Sequence, residues 1–299
     1  MFDGFRTDHL DVGPVRLRFR HGGSGPPVLL VHGHPRTHTT WHRVAPAIAD
    51  AGYRVVCPDL RGYGASSVPP DQPDHSQASK RAMAEDLIGL MAHLGHERFH
   101  AVGHDRGGYV VQRLALDHPA AVERLVILGD VPIGEALARC NARFAQQWWH
   151  WFFMGQPAPL AERLIAADVS AWYQLDPKLM GEENYADAAR AVADAAVRHA
   201  MCEDYRAGLG VDRAADDADR NAGRQITSPL LVLWGTRDDL SDLYDNDVLG
   251  VWRPWATDLY GHGFDSAHHM AEEAPQQLTD ELLSFFDHPA RSSRSEIPG

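Results

Sequence analysis

The stretch best equipped for chemistry is Val102-Gly103-His104-Asp105-Arg106-Gly107-Gly108. Phe99 to Val102 is apolar-rich and Tyr109 to Leu116 suits a helix. The stretch therefore reads as strand, sharp bend and helix, with glycines that let the backbone turn tightly and push one side chain outward. That side chain is a carboxylate. A serine at such a bend would attack a carbonyl and form an acyl-enzyme, whereas an aspartate oxygen can displace a leaving group from saturated carbon and form an alkyl ester. Releasing the ester then requires a base. With 18 histidines in the chain, identity alone selects none of them. Position does: His268, with His269 as its rival, stands just before the last helical stretch, after the last sheet element, so that the nucleophile precedes the histidine in chain order.

Elements able to hold these residues lie on both sides of the bend. Val15 to Arg20 alternates apolar and charged residues, Gly22 to Pro27 forms a turn, and Val28 to Val31 is a short apolar run of the kind buried in a parallel sheet. Trp41 to Ala51 reads as helix, Tyr53 to Cys57 as strand, Ser79 to Leu94 as helix and Leu125 to Leu128 as strand. Alternating strands and helices predict an α/β fold with a mostly parallel central sheet flanked by helices, its first part covering residues 1–132. From 133 to 223 the pattern changes to helical runs with no strand, including Trp148-Trp149-His150-Trp151-Phe152-Phe153, and reads as an inserted helical cap. Residues 224–299 return to the sheet domain, with a strand at Pro229 to Trp234, a helix over Leu240 to Trp255 and a closing helix over Glu272 to Phe286. Arg291 to Gly299 is polar and expected to fray.

Composition excludes several function classes. A net charge of −13 lacks the basic footprint that phosphate backbones need, so no nucleic-acid partner is expected. No apolar run is long enough to span a bilayer, and Met1 to Asp11 has no apolar core of a secretory leader. Cys57, Cys140 and Cys202 lack metal spacing and read as reduced thiols, the usage of a cytoplasmic protein. No carboxylate-histidine spacing of known type surrounds His32 and His34 or His268 and His269, so no metal is expected. Substitution at sp3 carbon followed by ester hydrolysis needs a small-molecule substrate, water and protein groups, and no cofactor.

From about Gly22 to Phe286 the chain resembles the haloacetate (fluoroacetate) dehalogenases of the α/β-hydrolase superfamily, relatives of haloalkane dehalogenases and epoxide hydrolases. The most specific likeness is Gly103-His104-Asp105-Arg106-Gly107, because the other two groups usually carry Trp where Arg106 stands. Trp41 to Pro46, Lys80 to Ala84, His150-Trp151 with Gln156 to Pro159, and Met201 to Gly208 add to it. The resemblance implies an α/β-hydrolase fold with a helical cap, Asp105 as nucleophile and His268 as the base that activates water. It implies that the amides of His34 and Arg106 form the oxyanion hole. It further implies that Arg106 holds the substrate carboxylate, that His150, Trp151 and Tyr205 bind the departing halide, and that the protein is a homodimer. Donors aimed at a halide act chiefly in the transition state, because its charge appears only as the bond breaks.

Two positions depart from that pattern. Fluoroacetate-handling members carry a second arginine where this chain has Tyr109, which weakens the clamp on the substrate carboxylate. The acid that orients the histidine is expected at the end of the strand after the elbow helix, where Gly129 is followed by Asp130. A shift of one residue reverses a side chain in an extended strand, so Asp130 reaches His268 only if the chain kinks at Gly129. Trp234-Gly235-Thr236-Arg237-Asp238 offers Asp238 as the alternative, with Asp239 beside it. An epoxide hydrolase using the same Asp105 and His268, and a non-catalytic ligand-binding relative, are the competing functions.

Overall fold

The computed structural model describes residues 2–287; Arg291 to Gly299, expected to fray, lies outside them. Eight strands make one sheet: β1 (Arg6–Val12), β2 (Val15–Gly23), β3 (Pro27–Val31), β4 (Arg54–Pro58), β5 (Phe99–His104), β6 (Val122–Leu128), β7 (Leu230–Gly235) and β8 (Leu259–Phe264). Their order is β1-β2-β4-β3-β5-β6-β7-β8. β2 runs antiparallel to β1 and β4, and the remaining pairs are parallel. The chain lays β4 on one side of β3 and β5 on the other, so the loops after these strands diverge and open a crevice at their carboxyl ends.

The apolar runs form central strands because both faces of the sheet are covered. Leu29 and Val31 of β3, Leu125 and Ile127 of β6, and Leu230 and Val232 of β7 pack on one face, against Leu87 of the helix Lys80–His93 and Val110 and Leu114 of the helix Arg106–Asp117. Their neighbours Val28, Leu30, Val126, Leu128, Leu231 and Leu233 pack on the other, against Ile48 and the closing-helix residues Leu278 and Leu282. Burying each such side chain contributes about 1.5–3 kcal/mol. The strand period of two thus fixes which residues face which layer, and no slip of register keeps both layers filled.

Between β6 and β7 every regular element is helical, from Ile133–Ala138 to Arg213–Ala222. Buried polar pairs tie this insertion to the sheet domain. Arg36 grips Glu272 through two bonds of 2.9 and 3.0 Å, and Asn184 of the insertion donates to the same carboxylate at 2.8 Å. Arg18 joins Asp59 to Asp187 of the insertion with contacts of 2.6 Å to each. Removing one partner from such pairs is costly, so the insertion is held in one place over the crevice.

Two strands lie outside the sequence reading, and two expected helices change. Arg6–Val12 is a strand although its sequence does not alternate, and Leu259–Phe264 is a strand despite two glycines. The helix expected over Leu240 to Trp255 is two short helices, Leu240–Leu243 and Val248–Trp252, interrupted where Asp245 and Asn246 take left-handed backbone angles. The helix expected from Trp41 starts at Ala45 with Pro46 in its first turn, after a 3-10 turn over His38–Trp41.

Candidate active site

Five loops at the carboxyl ends of β3, β5, β6, β7 and β8 deliver His34, Asp105, Asp130, Asp238 and His268 to one cavity of about 220 Å³. Asp105 sits on the bend with φ 50° and ψ −126°, outside the favoured regions for a side chain of its kind. Such strain costs about 1–3 kcal/mol and persists only where the surroundings impose it. Here they do: a Cβ on Gly107 would lie 2.4 Å from the carbonyl oxygen of His32 and 2.5 Å from that of Val31, so only glycine lets the elbow helix approach β3.

Each oxygen of Asp105 faces a different group. The His34 amide donates to Oδ1 at 2.6 Å, while Oδ2 faces His268 Nε2 at 3.7 Å. The Arg106 amide opens the elbow helix and so lacks a carbonyl one turn back to accept it. His268 Nδ1 bonds Asp238 Oδ2 at 2.9 Å, and the imidazole thus stands between two carboxylates. Burial alone would push the Asp105 carboxyl up, but His268, with its charge 3.7 Å away, holds it well below the usual carboxylate range. Burial would likewise push His268 down, and Asp105 and Asp238 together hold it well above the usual imidazole range. The row is charged, minus-plus-minus, at neutral pH.

Asp130 has a different place. The chain does kink at Gly129, with φ +75°, and Asp130 lines the cavity; yet its Oδ2 is buried with no hydrogen-bond partner among the described residues. Burial, and then the charge of Asp105, raise its carboxyl well above the usual range. Asp239, next to Asp238, accepts from Trp148 Nε1 at 2.7 Å and is raised to about 6 by burial and by Asp238.

His150, Trp151 and Tyr205 reach the same cavity from the insertion. Their side chains donate no hydrogen bond to another described residue, which leaves them available to a ligand. Burial lowers His150 to about 4 and raises Tyr205 well above its usual range, so both are neutral around pH 7.

Arg106 and Tyr109 do not line this cavity. Arg106 is 1% exposed and bound through Nε and Nη2 to Asp204, at 3.0 Å to Oδ2, 2.8 Å to Oδ1 and 2.9 Å to the carbonyl oxygen. Its guanidinium lies 4.3 Å from the centre of the Tyr205 ring. Asp204 also takes the Tyr63 hydroxyl and Lys80 Nζ, which Asp212 shares at 3.2 Å, so two carboxylates balance the two cations. Tyr109 is buried against Trp151, ring centres 6.0 Å apart. The expectation that Arg106 holds a substrate carboxylate, with Tyr109 beside it in place of a second arginine, is therefore revised: Asp204, one residue before Tyr205 in a stretch the sequence singles out, takes the positive charge first. Trp148 is buried in the core and also donates from Nε1 to Asp239, whereas Trp149 is 51% exposed.

His104, His268 and His269 present ring nitrogens within 4.8 Å of one another, close enough for a metal. His104 Nε2, however, bonds the His268 carbonyl at 2.8 Å, His268 Nδ1 bonds Asp238, and a cationic His268 repels an ion.

Residues 26–275 match the α/β hydrolase fold family. The chain is 40% identical to fluoroacetate dehalogenase of Burkholderia sp, over 98% of this chain and 97% of that protein. It is 32% identical to soluble epoxide hydrolase of Corynebacterium sp. strain C12, over 92% and 95%. A solved Nostoc sp PCC 7120 protein described as an α/β hydrolase superposes with a TM-score of 0.93 at 38% identity, covering 97% of this chain and all of that one.

Proposed function

This chain belongs to the α/β-hydrolase family, among the fluoroacetate dehalogenase-like proteins and their epoxide hydrolase relatives, and on that premise we propose that it is a hydrolytic dehalogenase of short 2-haloacids. The observation that carries the reading is the division of labour on Asp105: one oxygen held by the His34 amide at 2.6 Å, the other toward the cavity and His268. Asp105 Oδ2 attacks the carbon bearing the halogen as the carbon-halogen bond breaks, giving an aspartyl ester and a halide ion. His150, Trp151 and Tyr205 donate to the departing halide. Water then attacks Cγ of Asp105, its proton passing to His268, while the amides of His34 and Arg106 hold the oxyanion. Collapse returns Asp105 and releases the 2-hydroxy acid, with one proton left over.

The charge row supplies the timing. In the free enzyme His268 is kept protonated by two carboxylates. Esterification removes the charge of Asp105, the imidazole keeps only Asp238, and its proton affinity falls so that it can act as a base when a base is needed. Asp238 holds the tautomer and balances the imidazolium that forms.

An epoxide hydrolase is the second reading, favoured by the relative from Corynebacterium and by Tyr205, whose protonated hydroxyl could donate to an opening ring. Fluoroacetate, chloroacetate and styrene oxide, supplied separately, divide the two. Halide release without diol supports the dehalogenase, and diol formation without halide release overturns it.

A further inference from the structure

Taking the dehalogenase reading as its basis, we propose that the catalytic cavity is the inner of two substrate compartments. The outer one receives an apolar group carried on the reacting carbon. The preferred substrate is then a 2-haloacid with an aryl or alkyl substituent, not the unsubstituted haloacetate.

The outer compartment has a volume of about 320 Å³ and adjoins the inner one across His34 and His150, whose side chains line both. Together the two fall within the range of about 300–1,000 Å³ usual for small-molecule sites, far more than a two-carbon acid fills. Pro35, Trp149, Met154, Trp172 and Tyr173 supply most of the outer wall, and no Asp, Glu, Lys or Arg takes part in it. The boundary is uncharged as well, since burial drives His34 down to about 3 and His150 to about 4. Edge-on packing of Trp149 on Trp172 at 5.4 Å, and of Phe153 near Trp172 at 4.8 Å, fixes the shape of the wall. A compartment with three aromatic rings and no cation in its wall accepts apolar surface and offers a carboxylate no counter-ion.

The inner site gives the complementary reason. Its nearest guanidinium, Arg106, is paired with Asp204, and Tyr109 is an aromatic ring, so charge contributes little to holding a small acid. Contact with a remote, unreactive group can supply the missing binding and position the reacting carbon over Asp105.

The test compares kcat/KM for chloroacetate, 2-chloropropanoate, 2-chlorohexanoate and 2-chloro-2-phenylacetate. Each added methylene should raise it by up to about fourfold, and the phenyl acid should exceed chloroacetate by more than about tenfold. Ala171→Trp, which fills the outer compartment from its wall, should bring that ratio to about one. Equal or higher kcat/KM for chloroacetate in the parent protein overturns the inference. Quenching of tryptophan fluorescence by phenylacetate and by acetate separates this inference from the reading beneath it. Quenching by phenylacetate alone, lost in Trp172→Ala, with no halide released from any acid, retains the compartment and sinks the dehalogenase. Turnover of chloroacetate with no response to phenylacetate does the reverse, and failure of both measurements removes both.

Discussion

On the sheet side of the cavity Asp105, His268 and Asp238 form a row of alternating charge, each group shifting the proton affinity of the next. On the side of the insertion, His150, Trp151 and Tyr205 are neutral donors, and the Arg106 guanidinium beneath them is paired with Asp204. In the proposed mechanism the sheet side makes and hydrolyses the ester on a substrate whose carbon reaches Asp105, and the insertion side selects the leaving group and the substituents. A fold that keeps its charges on strand ends and its neutral donors on an inserted layer can change substrate without disturbing the covalent chemistry.

Breaking the charged side has the largest effect. Asp238→Asn should keep the fold and lower kcat by about 10⁴-fold, because the imidazole loses its tautomer and its counter-charge; halide release in steady state measures it. Next is the buried junction under the insertion. Asp204→Ala leaves Arg106 without its carboxylate and Lys80 with Asp212 alone, and should cost about 3–5 kcal/mol in denaturant unfolding. The sign in pH follows from the depressed carboxyl of Asp204. Its contribution is complete above the unfolded carboxylate value of about 3.9 and disappears as pH falls through the lower folded value. Acidification below about pH 4 should therefore narrow the gap between parent and variant.

On the neutral side, Trp151→Phe removes one donor and should slow halide formation by about 10²–10³-fold. Single-turnover halide release should change while hydrolysis of the preformed ester does not. The smallest effect belongs to Asp130→Asn: a carboxyl whose proton affinity burial raises, with no bond to His268, should alter kcat by less than about tenfold. A loss comparable to Asp238→Asn would move the orienting role to Asp130.

How far the sequence foretells this arrangement depends on where the information resides. Central strands are legible because β3, β6 and β7 are short apolar runs that only a sheet covered on both faces can bury. β1 and β8 are not, since they are edge strands whose register comes from a neighbour, and β8 contains glycines that disfavour strand. Asp105 and His268 announce themselves through the bend and the chain order. The partner of His268 cannot be read that way. Gly129 does kink, as Asp130 would require, but the direction of the following side chain depends on tertiary packing. The pairing of Arg106 with Asp204, 98 residues away, is likewise invisible to local pattern. Both residues lie in segments singled out by resemblance; their contact belongs to the fold.

The central claim, a covalent bond between Asp105 and substrate carbon, is tested most directly by one turnover of chloroacetate in ¹⁸O-water with enzyme in excess. Covalent catalysis predicts glycolate carrying unlabelled oxygen and one labelled oxygen in the carboxylate of Asp105, located by peptide mass spectrometry. Label in the glycolate of that first turnover, with Asp105 unlabelled, would mean that water attacks the substrate itself and would contradict it.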